Sequence, residues 1–189
     1  MDYKSQIKNY INDEIKILQN LDIEELNKTI NLLEETRLKG NTIYVFGNGG
    51  SASTASHMQN DFNKGISEKL VKRYKFNCLC DNVATIMAIA NDDCYENVFL
   101  NQITNNVKPG DIAIAISGSG NSKNVINAVE YFKSKGNTVI GFTGYSGGKL
   151  KELADIKLHV PLDNMQITED VHIIFNHLMM YILCHTIKE

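Results

Sequence analysis

Asp111-Ile-Ala-Ile-Ala-Ile116 runs directly into Ser117-Gly-Ser-Gly-Asn-Ser122, and this join of an apolar run to a hydroxyl-rich turn decides the fold. An unbroken apolar stretch after Asp111 predicts a strand buried on both faces. A helical pattern over 124–135 follows the turn and stops at Gly136. The same order occurs earlier: strand Thr42-Ile-Tyr-Val-Phe46, turn Gly47-Asn-Gly-Gly-Ser51, then a helix over about 51–64. Lys75–Leu79, Thr138–Phe142 and Ile156–Val160 read as three further strands, the first of them weak. Helical patterns over 83–90 and 98–107 and a long one over about 166–187 complete this part. Strand and helix alternate, so the prediction is an α/β chain with three α-β-α layers around a five-stranded parallel sheet. Ahead of it, Ile7, Ile11, Ile15 and Leu18, then Ile23, Leu26, Ile30 and Leu33, mark the stripes of a helical hairpin within 1–39. Lys39-Gly-Asn41 ends the hairpin, and no linker follows, so a single domain over 1–189 is expected.

Composition narrows the partners. The net charge is −3, with 43% hydrophobic and 22% charged residues, so nothing favours nucleic acid in general. The one basic cluster, Lys69-Leu-Val-Lys-Arg-Tyr-Lys75, reads as a solvated face. No apolar leader opens the chain and no stretch suits a membrane span, so a cytoplasmic protein is expected. The four cysteines (Cys78, Cys80, Cys94, Cys184) lack zinc-knuckle spacing and are expected to be reduced and mostly buried.

Chemistry is expected where strands end, because ligands of parallel sheets sit outside the carboxyl ends. Asn48, Gly49, Gly50 and Ser51 let the backbone approach a ligand and offer helix N–H groups to an anion. Ser117, Gly118, Ser119 and Ser122 can surround a phosphate with neutral donors and a helix end. A capping role would need only one of these serines. Neither turn matches a dinucleotide or triphosphate fingerprint. His57 and Asp61 share a helix face, which suits a surface pair, a metal or a proton couple. On the last helix, spacing favours Asp170 as the partner of His177; Glu169 is adjacent rather than aligned. Met179 and Met180 read as core or subunit contacts, His159 as structural and His185 as exposed.

Taken in order, Gly47-Asn-Gly-Gly-Ser51, His57, Ser117-Gly-Ser-Gly-Asn-Ser122 and the late Glu-Asp-Val-His with a further His resemble the sugar isomerase (SIS) domain family, and within it the phosphoheptose isomerases. The resemblance spans nearly the whole chain. It implies a flavodoxin-like SIS fold, a hairpin used in oligomerisation, and a homotetramer. It further implies isomerisation of sedoheptulose 7-phosphate to D-glycero-D-manno-heptose 7-phosphate, a surface-polysaccharide precursor, through a cis-enediol. Substrate contacts would fall on Asn48, Gly49, Gly50, Ser51, Asp61, Asn91, Asp92, Ser117, Gly118, Ser119, Ser122 and Glu169. Zinc would be held by His57, Asp61, Glu169 and His177, with Asp61 or Glu169 as base and His177 as acid.

The chain departs from that pattern where the family usually has Glu at 61, Gln at 169, Thr at 118 and Thr at 82. Asp61 shortens the base by about 1.5 Å, one C–C bond. Glu169 adds a negative charge, and Gly118 and Asn82 change the lining, so a related ketose phosphate is an alternative substrate. A hexulose-phosphate isomerase on the same fold is a second enzyme reading. A non-catalytic relative that binds the bacterial replication initiator is the reading from another class; it predicts loss of the catalytic side chains, which are all present.

Overall fold

The computed structural model describes residues 1–187, so the last two positions of the expected 1–189 domain lie outside the described residues. The hairpin is α1 (Lys4–Gln19) and α2 (Ile23–Lys39). Asp22 starts α2 by accepting from the Glu25 N–H at 3.0 Å, and Gly40, at φ 74°, closes it in the left-handed conformation. α2 buries Leu26 and Leu33 against the sheet. α1 buries no residue: Ile7, Ile11 and Ile15 remain 56%, 49% and 45% exposed.

Five strands follow: β1 (Ile43–Gly47), β2 (Phe76–Cys78), β3 (Ile112–Ser117), β4 (Thr138–Thr143) and β5 (Ile156–His159). They form one parallel sheet in the order β2-β1-β3-β4-β5, with Ile43 opposite Ile112 and Gly47 opposite Ile116. Every residue of β1 and β3 is buried, as their continuous apolar sequence predicts. Alternate residues feed two cores. Ile43, Val45, Ile112, Ile114 and Ile116 face α2, α3 (Gly50–Asn60) and α8 (Met165–Thr186). Tyr44, Phe46, Ala113 and Ala115 face α5 (Leu100–Ile103), α6 (Lys123–Ser134) and α7 (Gly148–Leu153). The remaining helix, α4 (Val83–Asp92), buries none of its residues. Three layers result.

The chain leaves β1 for β2 on one side and later returns to β3 on the other. The strand order therefore reverses between β1 and β3, and a crevice opens at their carboxyl ends. Both glycine- and serine-rich turns lie there.

Several expectations change. The helix expected over 98–107 is only Leu100–Ile103, preceded by a 3-10 turn at Tyr95–Asn97 and followed by Asn105 at φ 65°. The helix expected to about 64 is α-helical to Asn60 and then widens into a π-helical turn, Asp61–Ile66. α7 is additional. The cysteines are all free, but only Cys78 is buried; Cys184 is exposed, because it lies on the outer face of α8.

Candidate functional site

The two turns meet in a cleft of about 160 Å³ lined by Asn48, Ser51, Ser117, Gly118, Ser119, Ser122, Met165 and Glu169. No Lys or Arg lines it, so an anion there would be held by hydroxyls, amides and helix ends. Ser122 occupies the N-cap of α6 without bonding to the helix backbone; its Oγ lies 3.3 Å from Ser117 Oγ instead. Either hydroxyl of this pair can donate to the other, which leaves one O–H for a ligand at the helix N-terminus. Gly120, at φ 66°, is required, because a Cβ there would stand 1.8 Å from the Gly147 carbonyl oxygen.

Gly50 is crowded by a side chain rather than by backbone. A Cβ on it would lie 2.4 Å from the Glu169 carboxyl carbon, so α8 presses Glu169 onto the first turn of α3. At Gly118, where the family pattern has threonine, the space is taken by Met165, whose sulfur would be 2.7 Å from an added Cβ. The missing threonine side chain is thus replaced by one from another helix.

Asn48 is held by residues that spacing does not single out. Its side chain exchanges hydrogen bonds with Asn124 at 2.8 and 2.9 Å, and Tyr95 Oη donates to its Oδ1 at 2.9 Å. Asn124 is buried, and its Oδ1 also accepts from the Val125 N–H at 2.9 Å.

Two turns beyond Gly50, a second group forms between α3 and α8. His57 Nε2 lies 3.2 Å from Asp61 Oδ2 and 3.2 Å from His177 Nε2, and His177 Nε2 lies 4.0 Å from Asp61 Oδ2. One ligand atom from each residue lies within 4.8 Å of the others. Both imidazoles are about half exposed and Asp61 is buried, so the group opens to solvent above an anchored carboxylate. Two imidazole nitrogens and one carboxylate oxygen, with an open side, suit a catalytic zinc. Glu169, expected with them, is not in this group; it stands eight residues before His177, about 12 Å along the helix axis.

Other expected residues lie elsewhere. Asp170 is not the partner of His177: it accepts a hydrogen bond from Tyr10 Oη, and that bond, with burial, pushes the phenol up to about 12. Helix spacing reports angle, not which neighbouring helix covers that face. Asn91 and Asp92 are exposed at the end of α4, bonded to each other at 2.8 Å, and do not line the cleft. His159 pairs with Thr143 Oγ1 at 3.0 Å, and burial lowers its affinity for protons. His172 is fully buried, lies 3.3 Å from the Thr143 carbonyl oxygen, and is pushed down to about 4 by burial.

Residues 6–144 match the SIS domain family. The chain is 38% identical over 167 residues to the phosphoheptose isomerase of Aliarcobacter butzleri, covering 85% of this chain and 84% of that one. The chain belongs to the phosphoheptose isomerases of the SIS domain family. The Helicobacter pylori (strain P12) phosphoheptose isomerase is 38% identical over 172 residues, covering 87% of this chain and 83% of its own. A phosphoheptose isomerase structure from Francisella tularensis superposes with a TM-score of 0.89 at 26% identity, over 98% of this chain and all of that one. The family's structures thus share the three-layer sheet and the N-terminal hairpin.

Proposed function

We propose that the protein interconverts sedoheptulose 7-phosphate and D-glycero-D-manno-heptose 7-phosphate as an aldose–ketose isomerase. One observation carries this: Ser51 of the anion cleft and His57 of the His57–Asp61–His177 group sit six residues apart along α3, about 9 Å. An extended sugar chain advances roughly 1.2 Å per bond, so a heptose held by its phosphate reaches that group with its carbonyl end. The carboxylate of Asp61 takes the proton from C1 of the ketose while His177 protonates the carbonyl oxygen at C2, giving the cis-enediol. Returning the proton to C2 and releasing that of the C1 hydroxyl yields the aldose. Glu169, on the cleft wall, faces the sugar hydroxyls. His57, Asp61 and His177 would hold zinc, which when bound polarises the carbonyl.

The presence of His57, Asp61 and His177 together in one group argues against the non-catalytic replication-initiator reading. The exposed stripe of α1 and the wholly unburied α4, with Val83 and Met87 61% and 65% exposed, support a homotetramer. Among the described residues no helix is long and apolar enough to cross a membrane; the reading includes action in the cytoplasm. Assay of purified protein on sedoheptulose 7-phosphate, with zinc and after chelation, tests the proposal. Turnover of another ketose phosphate at a higher kcat/KM would move the substrate and leave the chemistry in place.

A further inference from the structure

Asn176 immediately precedes His177 on α8, a turn of about 100° round the helix that buries its side chain in the protein with no exposed surface. Its Nδ2 donates to Asp61 Oδ2 at 2.7 Å, the shortest contact that oxygen makes. The amide orientation follows from chemistry, since turning it would set two oxygens against each other. Its Oδ1, also buried, has no hydrogen-bond partner among the described residues. The amide is therefore satisfied only on the side that faces the site carboxylate. An apolar residue of the same shape would fill this position without leaving a buried carbonyl unbonded.

We propose that Asn176 is a positioning residue that fixes the Asp61 carboxylate for its work between His57 and His177. By holding Oδ2 from below, Asn176 sets the rotation of the carboxylate. Oδ1, with the Asn60 amide at 3.5 Å, is left as the oxygen able to exchange a proton. Asp61 begins the π-helical turn, a wider backbone geometry that recurs at functional sites. The short aspartate arm is thus oriented from the facing helix. Partners of this kind act by orienting a ligand or base rather than by touching substrate. The inference rests on the proposed role of Asp61.

The test compares wild type, Asn176→Leu, Asn176→Ala and Asp61→Asn by zinc titration calorimetry, by kcat and KM measured separately, and by melting of the metal-free protein. Asn176→Leu should weaken zinc binding and lower kcat by roughly 10–100-fold, with KM and the melting temperature close to wild type. Should Asn176→Leu not fold, Asn176→Ala is read against the same criteria. Wild-type zinc affinity and kcat with a lowered melting temperature would show a packing role and overturn the proposal, provided Asp61→Asn is inactive. Full activity in Asp61→Asn would instead overturn the assigned role of Asp61, and this inference with it.

Discussion

The imidazoles of His57 and His177, 120 residues apart in sequence, meet edge to face with their Nε2 atoms 3.2 Å apart above the carboxylate of Asp61. The meeting depends on α3 and α8 packing on the same face of the sheet, with Met58, Phe175 and Met179 buried between the helices and the strands. Two exposed nitrogens facing a buried carboxylate form a site whose parts fail differently. Asp61→Asn removes the proposed base and should lower kcat by about 10²–10⁴-fold, and His177→Ala by a similar factor. Glu169→Gln retains the shape against Gly50 and should keep kcat within about tenfold of wild type. Steady-state kinetics on the three variants decides between the carboxylates. A larger loss in Glu169→Gln than in Asp61→Asn would make Glu169 the base.

The serine turn should govern binding rather than chemistry. Ser122 Oγ stands at the start of α6 but bonds to Ser117 rather than to the helix, so it is available to a phosphate oxygen. A hydrogen bond to a charged group contributes about 1.5 kcal/mol or more, roughly tenfold in affinity. Ser122→Ala should raise KM by about that factor with little change in kcat, and should weaken competition by inorganic phosphate equally. An unchanged KM would place the phosphate elsewhere.

The frame of the molecule was legible because β1 and β3 are continuous apolar runs that end in glycine and hydroxyl residues. Such runs fit the centre of a parallel sheet, and their ends mark the crevice. What the pattern left out depends on contacts between distant segments. Tyr10 takes Asp170 from α1, a pairing that the angles within α8 do not contain. Asn176 reads as a lone polar residue in an apolar helix, and only the arrival of Asp61 gives it a purpose. The π-helical turn at Asp61–Ile66 breaks the 3.6-residue period on which helix reading relies, and α7 starts at a pair of glycines that suggest a loop.

His172 makes stability depend on pH. Its folded-state value is pushed down to about 4 by burial among Phe142, Phe175 and the end of β4, from an ordinary value of 6.5. Between those values the unfolded chain binds more protons than the folded one, so stability rises with pH. The contribution is complete above pH 6.5 and declines as pH falls towards 4, reaching a loss of about 3 kcal/mol. For a chain of this size that corresponds to about 6–12 °C in melting temperature. His172→Gln keeps a donor for the Thr143 carbonyl and removes the titration. Its melting temperature should fall less between pH 6.5 and 4.5 than that of wild type. Parallel curves would assign the acid sensitivity to other groups.

The proposed subunit contact is tested on the hairpin. Ile7, Ile11 and Ile15 recur at four-residue spacing along the outer side of α1, each about half exposed, with Tyr3 exposed just before α1 and Ile23 exposed at the start of α2. Burying an isoleucine contributes about 1.5–3 kcal/mol, so a stripe of three can hold an interface in which each copy supplies the same face. Ile11→Lys places a charge in the centre of that stripe and should shift light scattering from the proposed tetramer towards a smaller species, without lowering the helical content. The same variant tests Asn91 and Asp92, which lie outside the cleft of their own chain. If a neighbouring copy brings them to it, dissociation should raise KM as well as lower the mass. A tetramer unchanged by Ile11→Lys would leave α4, with Val83 and Met87, as the surface that joins the copies.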